Sequence, residues 1–382
     1  MRFPNSLFFF QNGATKSVGT STFDGQGHVT AIHLESGEVS EIIIPTPRIK
    51  VSLGDIMKRN IFRWLLGMVC FGNIHTGTAN TAVMKTDVGL IAAEESSKPF
   101  LLNVHNNRIV SGRWLFDRQP IGVHPVHVES FSYRPFRQKF PLGINGHAVN
   151  WMPSTFPAMI HSVSAVEGLV IVPLISTHIG GFWDYAIGNK KLPLVEEDTC
   201  QWLIFNQTSN EVSVVDTEII SNPLHIVKTV VNNNLLEIYA CHVRNLSIVA
   251  DKCSEEEISP QFDFRKDVIC LETHTLLNTM VFSDVCGDFP NIVNESVVLI
   301  NSLYIDGRNQ TIKFFDIETD SVIYEIQLPP LVRDVLFYEG HLLYCTLTDF
   351  YIYCLNTDKI VRHVNIPKRS SNFHASIISL SI

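Results

Sequence analysis

Four histidines stand in apolar settings suited to holding a metal ion. They are His124 in Ile121-Gly122-Val123-His124-Pro125, His161 in Pro157-Ala158-Met159-Ile160-His161-Ser162-Val163, His225 in Asn222-Pro223-Leu224-His225-Ile226-Val227, and His374 in Asn372-Phe373-His374-Ala375-Ser376. A neutral imidazole offers one ring nitrogen to a cation and turns the other toward an orienting acceptor. Ligands this far apart in a chain share one ion only if the fold returns repeatedly to one place. The residues alone leave two readings open, a shared metal site or four unrelated histidines.

The elements that would bring them together are strands. Gly27–Leu34, Gly89–Ala93, Leu169–Leu174, Leu235–Val243, Thr311–Ile317, His341–Leu347 and Phe350–Asn356 are short and rich in β-branched and aromatic residues. Gly, Asn, Asp or Pro bounds each of them. Near the C terminus TIKFFDIETDSVIYEIQLP and LYCTLTDFYIYCLNTDKIVRHVNIP share the order strand, acidic turn, strand, Leu/Ile-Pro. That weak repeat suits blade-like antiparallel units, and seven of them would take about 55 residues each. Each blade of a propeller presents an inner strand to a common axis, where dispersed histidines would meet. No WD or kelch signature is present, and no composition shift marks a boundary, so residues 1–382 read as a single domain.

Composition narrows the function classes. The chain has 382 residues, 45% hydrophobic and 18% charged, which provides for a large core and excludes a disordered chain. Its net charge of −9 argues against a nucleic-acid partner. The eight cysteines form no CxxC pair and read as free thiols in a reducing compartment. No apolar run reaches the ~18 residues of a membrane span, and Leu7–Phe10 is too short for the core of a signal peptide. The sequons at Asn206, Asn245, Asn294 and Asn309 are therefore read as chance, and a cytoplasmic location is expected.

The segment Asp55–Gly72 departs from the strand pattern. Asp55 suits a helix cap, and Ile56, Phe62, Leu65, Leu66, Val69 and Cys70 fall near helical spacing. Two readings stand: a core or capping helix, or an amphipathic helix in peripheral contact with a membrane, with Lys58, Arg59 and Arg63 at headgroup level.

The order of several short motifs resembles the carotenoid cleavage oxygenases, the family of apocarotenoid, retinoid and stilbene enzymes. The motifs are Phe23-Asp24-Gly25-Gln26-Gly27-His28-Val29-Thr30-Ala31, Gly77-Thr78-Ala79-Asn80-Thr81, Glu95-Ser96-Ser97-Lys98-Pro99-Phe100, His124-Pro125, Pro157 to Val170, Leu224-His225 and Phe373-His374-Ala375. The resemblance runs from about Phe10 to the C terminus. It implies an all-β, seven-bladed β-propeller with a short helical or loop cap, and Fe(2+) on the axis held by His124, His161, His225 and His374. Glutamates orient three of the histidines in the family. Here Glu95 matches the first, and Asp288 and Asp334 stand at the other two, one methylene shorter. His127, three residues beyond His124, would face the other side of a strand and is not taken as a ligand.

The implied reaction is dioxygenation. Dioxygen adds across a carbon–carbon double bond, and two carbonyl products result. The expected substrate is a lipophilic polyene, a carotenoid or apocarotenoid, with Phe62, Trp64, Trp114, Phe116, Phe131 and Tyr133 as candidate tunnel residues or ordinary core. Stilbene cleavage is the alternative within the family, but Glu94 stands where that branch usually has a lysine and would repel a phenolate. Nothing favours the isomerohydrolase branch. Ser162 replaces the family's aspartate, Lys228 its asparagine, and Val231-Asn232 its acidic pair. With the short N terminus, which leaves open an incomplete first blade, these changes support a second alternative, a degraded propeller that binds lipids or proteins.

Overall fold

A computed structural model describes residues 3–14, 26–44, 82–93, 99–115, 122–123, 130–132, 142–144, 147–149, 158–159, 161–176, 200–217, 222–243, 262–285, 287–302, 310–330, 332, 334–369 and 374–380. Among these residues there are strands and turns and no helix. The segment 55–72 and most of the candidate tunnel residues lie outside them. No helix among the described residues is long and apolar enough to cross a membrane.

The described strands form seven antiparallel sheets, in a propeller-like arrangement. One sheet joins the two ends of the chain, in the order Ala375–Ser379, Leu7–Ala14, Gly27–His33, Val39–Ile44. The others are local meanders. They begin at Ala82–Thr86, Gly122–Val123, Ala158–Met159, Asn222–Asn232, Asp288–Ile292 and Val335–Tyr338.

The strands expected from sequence are all present, with ends shifted by no more than two residues. Leu235–Val243 and Gly89–Ala93 match in full. The repeated acidic turn is a structural unit. Asn206↔Glu211, Cys270↔Thr275, Asp316↔Ser321 and Cys354↔Lys359 each close a four-residue loop. The last loop residue is left-handed in each case: Asn210, His274, Asp320 and Asp358. Asn and Asp tolerate that conformation better than most side chains, which explains the recurring turn chemistry.

Alternation along the strands builds the core between sheets. Side chains of consecutive residues leave opposite faces. Phe9 packs with Leu343, Phe350 and Ile352 of one neighbouring sheet, whereas Phe8 and Phe10 pack with Val83, Leu90 and Phe100 of the other. Ile238 and Tyr239 divide in the same way, toward Trp202 and Ile204 on one side and Val298 and Phe315 on the other. Gly27–His33 is buried throughout, while Thr275–Phe282, Ser321–Leu328 and Lys359–Asn365, the last strands of their sheets, are largely exposed.

Candidate metal centre

The chemistry-bearing residues cluster at the starts of the first strands. His225 is the fourth residue of Asn222–Asn232, and Asp288 opens Asp288–Ile292. Asp334 immediately precedes Val335–Tyr338, and His374 immediately precedes Ala375–Ser379. His161 lies in a break between Ala158–Met159 and Ser164–Val166, both of which pair with Leu169–Ser176. That pairing skips one extra residue, from Met159↔Ile175 to Ser164↔Ile171. Pro173, which has no amide hydrogen to give, sits opposite the gap.

This placement brings three histidines together. One candidate ligand atom from each of His161, His225 and His374 lies within 4.8 Å of the other two. The ring centroids are 4.8 Å apart for His161 and His225, 5.4 Å for His225 and His374, and 6.2 Å for His161 and His374. His225 and His374 are buried, and His161 is half-buried.

Carboxylates orient two of the rings. His225 Nδ1 meets Asp288 Oδ1 in a close contact, with both side chains almost fully buried. His374 Nδ1 lies 3.3 Å from Asp334 Oδ2, which also accepts the Ala375 amide at 2.6 Å. An ionised carboxylate only accepts, so each Nδ1 carries the hydrogen and Nε2 keeps its lone pair for a cation. The His374 carbonyl is held as well, by the Asn12 amide at 2.8 Å and Gln11 Nε2 at 3.1 Å. Burial, and secondarily the nearby Asp288 charge, push the Cys241 thiol well above its usual range. Three imidazoles, two of them with buried carboxylate partners, form a donor set that fits a divalent transition-metal cation.

His124, Glu95 and His127 lie outside the described residues, as does Glu94. Gly122–Val123, just before His124 in sequence, is the strand that begins its sheet. Ser162, where the family carries aspartate, is fully buried, and Lys228 is half-buried. Other histidines serve elsewhere. His28 Nε2 pairs with Glu41 at 2.8 Å, and His33 bonds Ser36 Oγ and the Asn5 carbonyl, each at 2.7 Å.

Sequence reasoning passed over Phe289. Its ring lies 5.8 Å from that of His225 and 5.3 Å from that of His374, tilted against both imidazoles. Its φ of 51° is uncommon for a bulky residue. A register shift between Asp288 and Asn291 accommodates it. The flanking Gly287 and Pro290 were the available signal.

No protein-family model matches the chain, and no curated protein matches it by sequence. Solved structures do match in fold. A Glu150Asp mutant of the Synechocystis apocarotenoid oxygenase superposes with a TM-score of 0.74 at 14% identity, covering 99% of this chain and 94% of that one. A cobalt-substituted form of the oxygenase gives 0.72 at 14% identity over 98% and 92%. A chimera of that oxygenase with RPE65 gives 0.71 at 14% identity over 99% and 94%. The chain has the carotenoid cleavage oxygenase fold.

Proposed function

We propose that the chain is a non-haem iron(II) dioxygenase that cleaves a carbon–carbon double bond of a carotenoid or apocarotenoid to two carbonyl products. In this reading residues 1–382 form one seven-bladed propeller, and His124 joins His161, His225 and His374 as the fourth ligand. The observation that carries it is the convergence of three histidines from three sheets, two of them backed by buried aspartates. The fold likeness to an apocarotenoid oxygenase supports the substrate class.

Iron(II), when bound, would supply dioxygen activation. The rest falls to the chain's own residues. Asp288 and Asp334 fix the tautomer and plane of their histidines, so the ligands need not reorganise. Neutral imidazoles would leave the full positive charge on the ion, and Asp288 and Asp334, behind His225 and His374, would balance part of it. Phe289, itself buried, sets an apolar ring beside two of the imidazoles. Both oxygen atoms end in the products and the alkene provides the electrons, so no second redox cofactor is required.

The degraded-propeller alternative draws on the Ser162 and Lys228 changes. It loses ground because Ser162 still makes a buried hydrogen bond, to the Ile226 amide. The deciding experiment is metal content with oxygen uptake on a β-apocarotenal. About one iron per chain and aldehyde products are expected. A well-folded protein that binds no iron and consumes no oxygen overturns the reading.

A further inference from the structure

The seam between the His161 segment and the His225 strand is joined by two serine hydroxyls. Ser162 Oγ accepts the backbone amide of Ile226 at 3.2 Å. Ser164 Oγ and Thr229 Oγ1 lie 2.9 Å apart. Ser162 is fully buried, Ser164 is 2% exposed and Thr229 is 6% exposed. The first link therefore joins the residue after one candidate ligand to the residue after another.

The two links are spaced differently along the two segments, and the His225 strand is bulged between them. From Ser162 to Ser164 the chain advances two residues, while from Ile226 to Thr229 it advances three. Extended chain rises about 3.3 Å per residue, so a regular strand would carry the second pair a full residue out of step. The register shift between Ile226 and Lys228, where Ile226 faces Ala240 and Lys228 already faces Tyr239, absorbs the extra residue. A second shift, between Pro223 and His225, lies on the other side of the ligand. Bulges of this kind re-aim a side chain locally, and here they flank His225.

We infer that Ser162 is a positioning residue of the metal centre, whose hydroxyl sets the separation of His161 and His225 through the Ile226 amide. The inference rests on the metal-centre reading above. An alanine at 162 leaves the buried amide without this acceptor and frees the two ligand-bearing segments to separate. The Ser164–Thr229 pair lies further along the same seam, away from the ligands, and supplies the structural control.

The test uses the full chain, freed of metal and titrated with cobalt(II). Affinity is read from the visible ligand-field absorption, and the metal-free unfolding midpoint is measured on the same samples. Ser162→Ala is expected to weaken cobalt binding by about tenfold to a hundredfold and to alter the band shape. Ser162→Thr, which keeps the hydroxyl, should restore both toward wild type. Ser164→Ala should lower the unfolding midpoint comparably while leaving affinity within about twofold. Wild-type affinity and spectrum in Ser162→Ala overturn the inference. So do equal affinity losses in the two alanine variants, or failure of Ser162→Ala to fold, either of which would assign the serine to the fold alone. A wild-type chain that binds no cobalt overturns the metal-centre reading itself.

Discussion

Asp334 holds His374 by the ring and by the chain at once. One carboxylate oxygen lies 3.3 Å from His374 Nδ1 and 2.6 Å from the amide of Ala375. With the His374 carbonyl held by Asn12 and Gln11, the histidine is fixed from both sides before any cation arrives. That is preorganisation in a physical sense, since binding a metal then requires little further ordering.

Asp334→Ala should therefore affect stability and metal binding together. It strands two buried donors, at a cost of roughly 2–4 kcal/mol in metal-free unfolding. Cobalt(II) affinity should fall about 10- to 100-fold. Asp334→Asn keeps an oxygen at that position and should lose about 1 kcal/mol or less. Urea unfolding and a cobalt titration of both variants check this, and equal losses from the two substitutions would contradict it.

Asp288→Glu makes the opposite kind of change. The family that the sequence resembles carries glutamate there, so the substitution looks like a restoration. The structure argues otherwise. Asp288 is 1% exposed and already in close contact with His225 Nδ1, leaving no room for another methylene. Overpacking should cost about 1–3 kcal/mol and tilt the imidazole. The expected result is weaker cobalt(II) binding and a lower unfolding midpoint, and tighter binding would refute it.

Gly287 precedes that aspartate for a steric reason. A Cβ at this position would lie 2.3 Å from the Asn301 carbonyl oxygen and 2.8 Å from its carbon. Backbone cannot yield as the tip of a side chain can. Gly287→Ala should shift the start of the strand that carries Asp288 and lower stability by about 2 kcal/mol or more, read by urea unfolding. It should also disturb the His225 contact, visible as altered cobalt absorption. A variant as stable as wild type would show that the approach is not as close as the structure has it.

Much of this was legible in the sequence because it is local. β-Branched and aromatic residues marked Leu235–Val243, and Asn-Thr-Asp marked the turn after Cys354. His161, His225 and His374 stood out by their apolar neighbours, and Asp288 and Asp334 by their place in the motif order. What stayed hidden depends on partners distant in the chain. The Ser162–Ile226 bond spans 64 residues and two sheets. The pairing of Leu7 with Ser379 joins the ends of the chain, and no periodicity announces it. Strands of two residues, such as Ala158–Met159, carry too little pattern to read. The bulges around His225 show only in its pairing with Leu235–Val243, so the strand read alone looks regular.

His242 should make stability fall as the solution is acidified. It is buried beside Trp202, with ring centroids 6.3 Å apart, and its pKa is drawn down from 6.5 to about 3 by burial first and Arg265 second, against the opposing pull of Asp263. The folded state therefore keeps this histidine neutral where the unfolded chain protonates it. Its contribution is present in full above pH 6.5 and is lost progressively as pH drops toward about 3. His28, also lowered by burial and by Arg369, acts in the same direction. Each such group contributes a slope of at most about 1.4 kcal/mol per pH unit. Urea unfolding of the metal-free chain at about pH 7.5, 6 and 5, above the main carboxylate range, should show this decline. His242→Gln is expected to start from lower stability at pH 7.5 because the buried site is repacked, yet to lose less on acidification. An undiminished slope in that variant would move the effect to other groups.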